Sequence, residues 1–314
     1  MLFRKLGKTG LRVSEIGFGG WAIGGNKFGN SYGDTDDDIS KAALRRALEL
    51  GVTLFETADL YGHGHSEALL GEVLRDWPGS PPIVVTKGGV NFYRRDGTLE
   101  PDWTPLGLAH AVQQSLIRLR KQTLDIFMLM SPPVEELERY RVWETLDALK
   151  RAGKISHVGV SVADPADGVW LLRQNCPVDA LEVGYSIFYQ GAATELLPLA
   201  RQRKVGILAR EPLANGFLTG KYAPDSEFPS GDIRASLPQD YIAAMAETAS
   251  KLDFLRRDGE RTPAQAAIRF VLDDPIVSCV VVGAKTPAQV EENLRATGVP
   301  SIDASELERI ADVF

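Results

Sequence analysis

The stretch LFETADLYGHGHSE, residues 54–67, ends an apolar run on a carboxylate, Glu56, and places a phenol, Tyr61, five positions later. A second apolar run, IVVTKGG at 83–89, ends on an ammonium, Lys87. A strand period of two puts Val52, Leu54 and Glu56 on one face, and Ile83, Val85 and Lys87 on one face of the next strand. A charge cannot be buried against a layer of helices without a partner, so both faces are expected to point into a shared interior, with Glu56 beside Lys87. Tyr61, just beyond its strand, can reach Lys87, and a nearby ammonium favours phenolate, lowering a pKa that starts near ~10. A carboxylate, lysine and tyrosine so gathered suit protonation of a carbonyl oxygen while hydride arrives from a nicotinamide. Structural ion pairs at a barrel mouth are the competing explanation, and residue types alone do not decide between them.

The elements that must position these residues alternate along the chain. Short apolar runs rich in β-branched residues occur at IGFGGWAI, VTLFETA, IVVTKGG, LDIFMLMS, ISHVGVSV, ALEVGYSI, GILAREPL and VSCVVVGA. Each is too short for a helix and too continuously apolar for a half-exposed strand. Helical periodicity lies between them, in DDDISKAALRRALELG, SEALLGEVLRD, TPLGLAHAVQQSLIRLRK, EELERYRVWETLDALKRAG, ATELLPLARQRK and TPAQAAIRFVLDDP. Eight strand-then-helix units without a linker-like tract predict a single α/β domain over 1–314, a (β/α)8 TIM barrel. Residues 1–13, with GKTG as the turn, predict an N-terminal β-hairpin capping the barrel's bottom, which would take Leu2, Leu6 and Leu11 out of water. Long irregular segments after strand 1 (GWAIGGNKFGNSYGDT) and strand 7 (ANGFLTGKYAPDSEFPSGDIRASLPQ) leave C-terminal strand ends, where loops carry function. The same parity rule makes Trp21, Met130, Ser161, Glu182, Arg210 and Gly283 the rim of one pocket, and it predicts a second ion pair, Glu182 with Arg210.

Composition excludes several classes. With 314 residues and 44% hydrophobic content the chain can fill one large core. A formal charge of −7 argues against nucleic acid or an anionic membrane as the main partner, although a small anion could still bind locally; the pocket is expected to take a small-molecule substrate. The first ten residues lack a signal-peptide core, and no apolar stretch approaches a transmembrane length. Cys176 and Cys279 form neither a disulfide framework nor a metal-ligand spacing, so a cytoplasmic protein is expected. Oligomeric state is not legible.

LGKTGLRVSEIGFGGWAIGG, FETADLYGHGHSE, VTKGG, GVSV, PLANGFLTGKY and GAKTPAQVEENLRA, in this order over nearly the whole chain, resemble the aldo-keto reductase superfamily. The resemblance implies a (β/α)8 barrel that binds NADP(H), less often NAD(H), without a Rossmann domain. It makes Tyr61 the proton donor, Lys87 its pKa tuner and Ser161 a nicotinamide carboxamide contact. Gly283, Lys285, Thr286, Gln289 and Asn293 would hold the adenosine 2′-phosphate and adenine at the N-terminus of the last barrel helix. Three departures stand out. The family's Asp is Glu56, its catalytic His is Met130, and its carboxamide-binding Gln is Glu182. Met offers only a weak sulfur acceptor. Arg210 replaces or accompanies the aromatic that commonly stacks on the nicotinamide, and a guanidinium can also stack.

GFGGWA at 17–22 nominally satisfies a dinucleotide-fold motif, but no helix opens at Trp21, and Gly24, Gly25 and Gly29 prolong the loop. His63 and His65 lack the partners of a metal site, and His110 and His157 fall away from the rim. YSIFYQ is expected to pack at the end of strand 6. The sequence thus predicts an NADP(H)-preferring oxidoreductase acting on a carbonyl or alcohol, sugar-like in one variant of the reading. Two alternatives stay open: a nicotinamide-binding regulatory or interaction protein with vestigial turnover, and an altered enzyme performing C=C reduction or an internal redox cycle.

Overall fold

The computed structural model describes residues 1–27, 31–92 and 98–314. Phe28 to Asn30 in the long loop after strand 1, Gly29 among them, lie outside the described residues. An antiparallel hairpin, β1 (Phe3–Lys5) and β2 (Arg12–Ser14), opens the chain. The barrel strands β3 (Ile16–Gly19), β4 (Leu54–Glu56) and β5 (Ile83–Gly88) follow. A short antiparallel pair, β6 (Val90–Asn91) and β7 (Glu100–Pro101), precedes β8 (Leu124–Met130), β9 (Ile155–Ser161), β10 (Ala180–Gly184), β11 (Gly206–Arg210) and β12 (Cys279–Gly283). The eight longer-range strands pair in parallel and close in the order β3-β4-β5-β8-β9-β10-β11-β12, with β12 returning to β3. All eight expected strands are present, each ending earlier than its apolar run, because the last residues of the runs turn into loops.

Alternation sorts the side chains as a barrel requires. Leu54, Val85, Ile126, Met128, Ala180, Leu208, Cys279 and Val281 fill the interior. Phe55, Val84, Phe127, Leu129, Val160, Leu181, Val183, Ile207 and Val282 pack outward against the helices. Val52 departs from its expected face. It precedes β4 and joins the helix-side core, so the interior parity begins at Leu54.

The hairpin plugs the barrel, since Leu6 and Val13, both fully buried, belong to the interior cluster. Leu6 sits so close to β11 that a Cβ on Gly206 would meet Leu6 Cδ1 at 2.5 Å. Leu2 does not share this burial and remains 62% exposed, because it precedes the paired residues. Leu11 is partly buried against the plug.

The helical segment expected over 135–153 is broken into Val134–Arg139 and Val142–Arg151, with Arg141 at φ +50°. Leu137, Val142 and Leu146 are all buried. In one continuous helix Leu137 and Val142, five residues apart, would point about 140° apart, so the break is what lets both reach the core. Similarly, the segment around ATELLPLARQRK splits into Gly191–Thr194 and Leu196–Arg203. Three further helices, Pro165–Arg173, Gln239–Lys251 and Ala304–Ala311, add to the periodic segments named from sequence. Tyr185 and Ile187 of YSIFYQ are buried, and Tyr185 packs on Phe270 with ring centroids 5.9 Å apart. No helix among the described residues is long and apolar enough to cross a membrane.

Truncating the plug should be costly because no side chain can collapse into the space. Leu6→Ala is expected to destabilise by about 2–5 kcal/mol, read from the shift in a urea unfolding midpoint at constant slope.

Candidate active site

Glu56 ends β4 and Lys87 lies in β5, and their side chains form an ion pair at the barrel's C-terminal mouth. Both are almost fully buried, as expected from parity. The ammonium also donates to the Thr57 carbonyl at 3.2 Å. The second expected pair is not formed as such. Glu182, on β10, turns to Lys87, with Oε2 3.2 Å from Nζ, while Arg210 pairs with its sequence neighbour Glu211 and donates to the Val162 carbonyl at 3.1 Å. One ammonium therefore serves two carboxylates from different sides of the mouth. The physical reason is depth: Lys87 is buried between the two carboxylates, whereas Arg210, at the strand's end, is only partly buried and pairs with Glu211.

Tyr61 follows β4 in a tight turn. A side chain on Gly62 would collide with the backbone of Gly24, so the turn and the strand-1 loop can only approach this closely through glycine. The Tyr61 hydroxyl donates to Glu56 Oε1 at 3.0 Å. One carboxylate oxygen of Glu56 thus meets both the phenol and Lys87. The lowered phenol pKa expected from Lys87 is not found. Burial holds the Tyr61 phenol well above its ordinary value, and Glu182 raises it further, against a lowering by Arg210. Lys87 lies over the ring, 5.0 Å from its centroid, and its charge is already engaged by the two carboxylates. Burial also lowers the Lys87 pKa, with Glu182 opposing that shift. At neutral pH the phenol keeps its proton and is a donor.

These groups floor a cleft of about 510 Å³ that runs from Trp21, Glu56, Tyr61 and Glu182 past Arg210 to Gly283, Lys285, Gln289 and Asn293. The residues read from sequence are therefore largely brought together. Lys87, Met130, Ser161 and Thr286 sit behind or beside this lining instead of in it. Met130 is paired with Ser161 across β8 and β9, and Ser161 with Glu182 across β9 and β10, so the three form one row near the mouth. Trp21 stacks on Tyr61, with centroids 6.1 Å apart and planes 17° apart.

At the far end, Thr286 caps the helix Pro287–Leu294 by accepting from the Gln289 amide, and Gln289 Oε1 accepts from the Lys285 amide at 2.7 Å. Asn293 Nδ2 donates to the Gly283 carbonyl at 3.3 Å. The Lys285 ammonium reaches across to the carbonyls of Tyr32, at 2.5 Å, and Asp34, at 3.2 Å. Burial lowers its pKa, while Asp232 raises it.

The residues that sequence reasoning missed come from the two long loops, which meet over the cleft. Tyr32 donates to Asn215 Oδ1 at 2.7 Å, and the Ile233 amide donates to the Ser31 carbonyl at 2.8 Å. Arg234 is bound to Asp232 at 2.6 Å and lies against the rings of Tyr32, Tyr222 and Phe228, 4.4–5.1 Å from their centroids. The loops' length and position were the only available signal, because these partners are nearly 200 residues apart. The histidines take no part in this floor: His65 opens a helix and contacts Asp37 at 2.8 Å, His63 stacks on Phe92 at 4.8 Å, and His157 contacts the Asp125 carbonyl at 3.2 Å. Among the described residues no group of three or more His, Cys, Asp or Glu could hold a metal ion.

A closed parallel barrel with a carboxylate, lysine and tyrosine at its mouth, opening into a cleft that ends on a capped helix, is matched by a family model. The model of the aldo/keto reductase family covers residues 15–313. The chain belongs to this family. Membership implies oxidoreduction with a nicotinamide nucleotide on a small-molecule substrate. Among relatives, the aldo-keto reductase YhdN of Bacillus subtilis is 28% identical over 95% of this chain and 89% of its own length. The NADH-specific methylglyoxal reductase of Escherichia coli is 29% identical over 95% of this chain and 94% of its own. A Schizosaccharomyces pombe protein assigned as a voltage-gated potassium channel subunit beta is 29% identical over 94% and 87%. The solved glycerol dehydrogenase of Gluconobacter oxydans superposes with a TM-score of 0.84 at 27% identity, covering 99% of this chain and 94% of the other.

The residues fit the nucleotide that the family uses. The cleft is long, and Glu182 Oε2 is buried in its floor without a hydrogen-bond partner. A Cβ on Gly283 would meet only the Gly19 carbonyl, at 3.8 Å, leaving that wall open to a close approach.

Proposed function

We propose that this protein is an NADP(H)-preferring oxidoreductase that moves hydride between the nicotinamide and a carbonyl or alcohol, sugar-like in size and polarity. The observation that carries this reading is the convergence of the Tyr61 hydroxyl and the Glu56 carboxylate, backed by the Lys87 ammonium, in a cleft whose other end holds Lys285 and Gln289. The nucleotide supplies or accepts hydride; the chain supplies the rest. Tyr61 gives its proton to the substrate oxygen in reduction and takes it back in oxidation. Glu56 holds the hydroxyl in place and Lys87 balances its charge. Ser161 and Glu182 would hold the carboxamide, and Arg210 and Trp21 would flank the ring. Lys285, Thr286, Gln289, Asn293 and Gly283 bind the phosphate-bearing adenosine end, where Lys285 answers the 2′-phosphate. The experiment that tests the activity follows absorbance of reduced nicotinamide with aldehydes, keto sugars and enones, using NADPH and NADH in turn.

A second reading is favoured by one observation, the similarity to proteins assigned as channel subunits beta. In it the chain binds nucleotide and serves as a regulatory or interaction protein. Tight nucleotide binding with no turnover of any substrate in the screen would favour it.

Three variants check the assignments. Tyr61→Phe is expected to lower turnover by about 10²–10⁴-fold while nucleotide affinity, measured by fluorescence titration, stays nearly unchanged. Undiminished turnover would exclude this proton donor. Lys285→Ala should cost about 1.5–3 kcal/mol for NADPH and little for NADH, and equal losses would remove the 2′-phosphate contact. Met130 leaves the substrate oxygen with one strong donor where the family has two, and an absent oxyanion donor typically costs about 10²–10³ in rate. Met130→His is therefore expected to raise turnover of small aldehydes by at least ~tenfold, with Glu56→Asp added as the stronger version. No gain in either variant with NADPH bound would show that the missing donor does not limit carbonyl reduction.

A further inference from the structure

The charge at the floor of the cleft does not balance. Glu56, Glu182 and Lys87 are 4%, 1% and 2% exposed, and their side chains bring two carboxylates to one ammonium. Arg210 does not correct this, because it is paired with a carboxylate of its own, Glu211. Three carboxylates against two cations leave one negative charge, and Glu182 is the group that holds it. Its Oε1 is 3.4 Å from Lys87 Nζ, its Oε2 is 3.2 Å away without hydrogen-bond direction, and no other partner satisfies Oε2. A buried charge that is only partly compensated is costly, so the floor gains from any positive group placed above it.

The two redox forms of a nicotinamide nucleotide differ at this end in the charge of the ring. The oxidised ring is cationic and the reduced ring is neutral, while the rest of the molecule is the same. An amide at position 182 would act on both forms alike; a carboxylate acts on the difference. Resting on the nucleotide-cleft reading above, we infer that Glu182 is a specificity-determining residue that selects the oxidised nucleotide and thereby makes the bound reduced nucleotide a stronger hydride donor. In the reductive direction the ring C–H bond breaks, its electron pair leaves with the hydrogen to form the new C–H bond at the carbonyl carbon, and the carbonyl oxygen takes its proton from Tyr61. Positive charge grows on the ring as that bond breaks, and Glu182 stabilises it in the transition state. This electrostatic push from the nucleotide side offsets the donor that Met130 does not provide on the substrate side.

The test is a pair of dissociation constants, for NADP+ and NADPH, measured calorimetrically on the intact protein and on Glu182→Gln. The wild type is expected to bind NADP+ at least as tightly as NADPH. Glu182→Gln should shift the ratio of the two constants at least ~tenfold toward NADPH, equivalent to about 30 mV in the two-electron potential of the bound couple. Adenosine 2′,5′-bisphosphate, which lacks the nicotinamide, should bind both proteins equally. If the variant loses this control ligand through misfolding, the wild-type ratio decides alone, and NADPH binding tenfold tighter than NADP+ overturns the inference. Tight binding of both dinucleotides with a ratio unmoved by Glu182→Gln overturns the inference and leaves the cleft reading standing. Failure of both dinucleotides to bind the wild type would remove the cleft reading and this inference with it.

Discussion

The buried ammonium of Lys87 is the constraint on which the site depends. A lysine 2% exposed inside a barrel mouth must be paired, and its partners come from β4 beside it and from β10 across the interior. Glu182 can reach Lys87 only if the sheet closes, so the ion cluster and the barrel presuppose each other. Buried ion clusters contribute little net stability, because desolvation offsets the attraction, but they fix geometry: removing one member strands the others. Here the fixed geometry extends to Tyr61, whose hydroxyl is held by the same Glu56 oxygen that meets Lys87.

Around this cluster the molecule separates support from recognition. Below it, the interior is apolar and is capped by Leu6 and Val13 of the hairpin, both fully buried. Above it, the mouth is covered by two long loops held together by Tyr32, Asn215, Asp232 and Arg234. Arg234 is central to that cover, since one planar cation lies against three aromatic rings while its Asp232 pair neutralises it. Lys285 links the cover to the capped helix, because its ammonium bonds the loop carbonyls of Tyr32 and Asp34. One residue proposed to grip the nucleotide's phosphate end, Lys285, is thus also one that holds the first loop.

The family supplies the frame, and this chain's own side chains set the charges within it. Glu56, Glu182, Arg210 and Glu211 gather at the mouth, and Met130 lies beside Ser161. These residues are not independent in space: Glu56 and Glu182 share Lys87, and Met130, Ser161 and Glu182 form one row across three adjacent strands. A change at any one of them therefore acts on its partners.

The sequence by itself determined what is periodic or short-range. Eight apolar runs of strand length separated by helical periods specify a parallel barrel, and the period of two places Glu56 and Lys87 inside because neither can be buried against helices unpaired. The hairpin of residues 1–13, built around the GKTG turn, is equally local and equally legible. Where interactions depend on distances across the mouth, the sequence falls silent. Parity placed Glu182 and Arg210 on one rim but could not tell which cation Glu182 meets, since that depends on depth and on the diameter of the closed barrel. Proximity suggested that Lys87 would lower the Tyr61 pKa, yet burial and Glu182 raise it, and desolvation is a property of the packed surroundings. Likewise, the pairing of Tyr32 with Asn215 joins residues on different loops, which only the tertiary fold brings within hydrogen-bond reach. Local patterns encode which face a side chain takes; the assembled barrel alone sets what that face meets and how much water is left there.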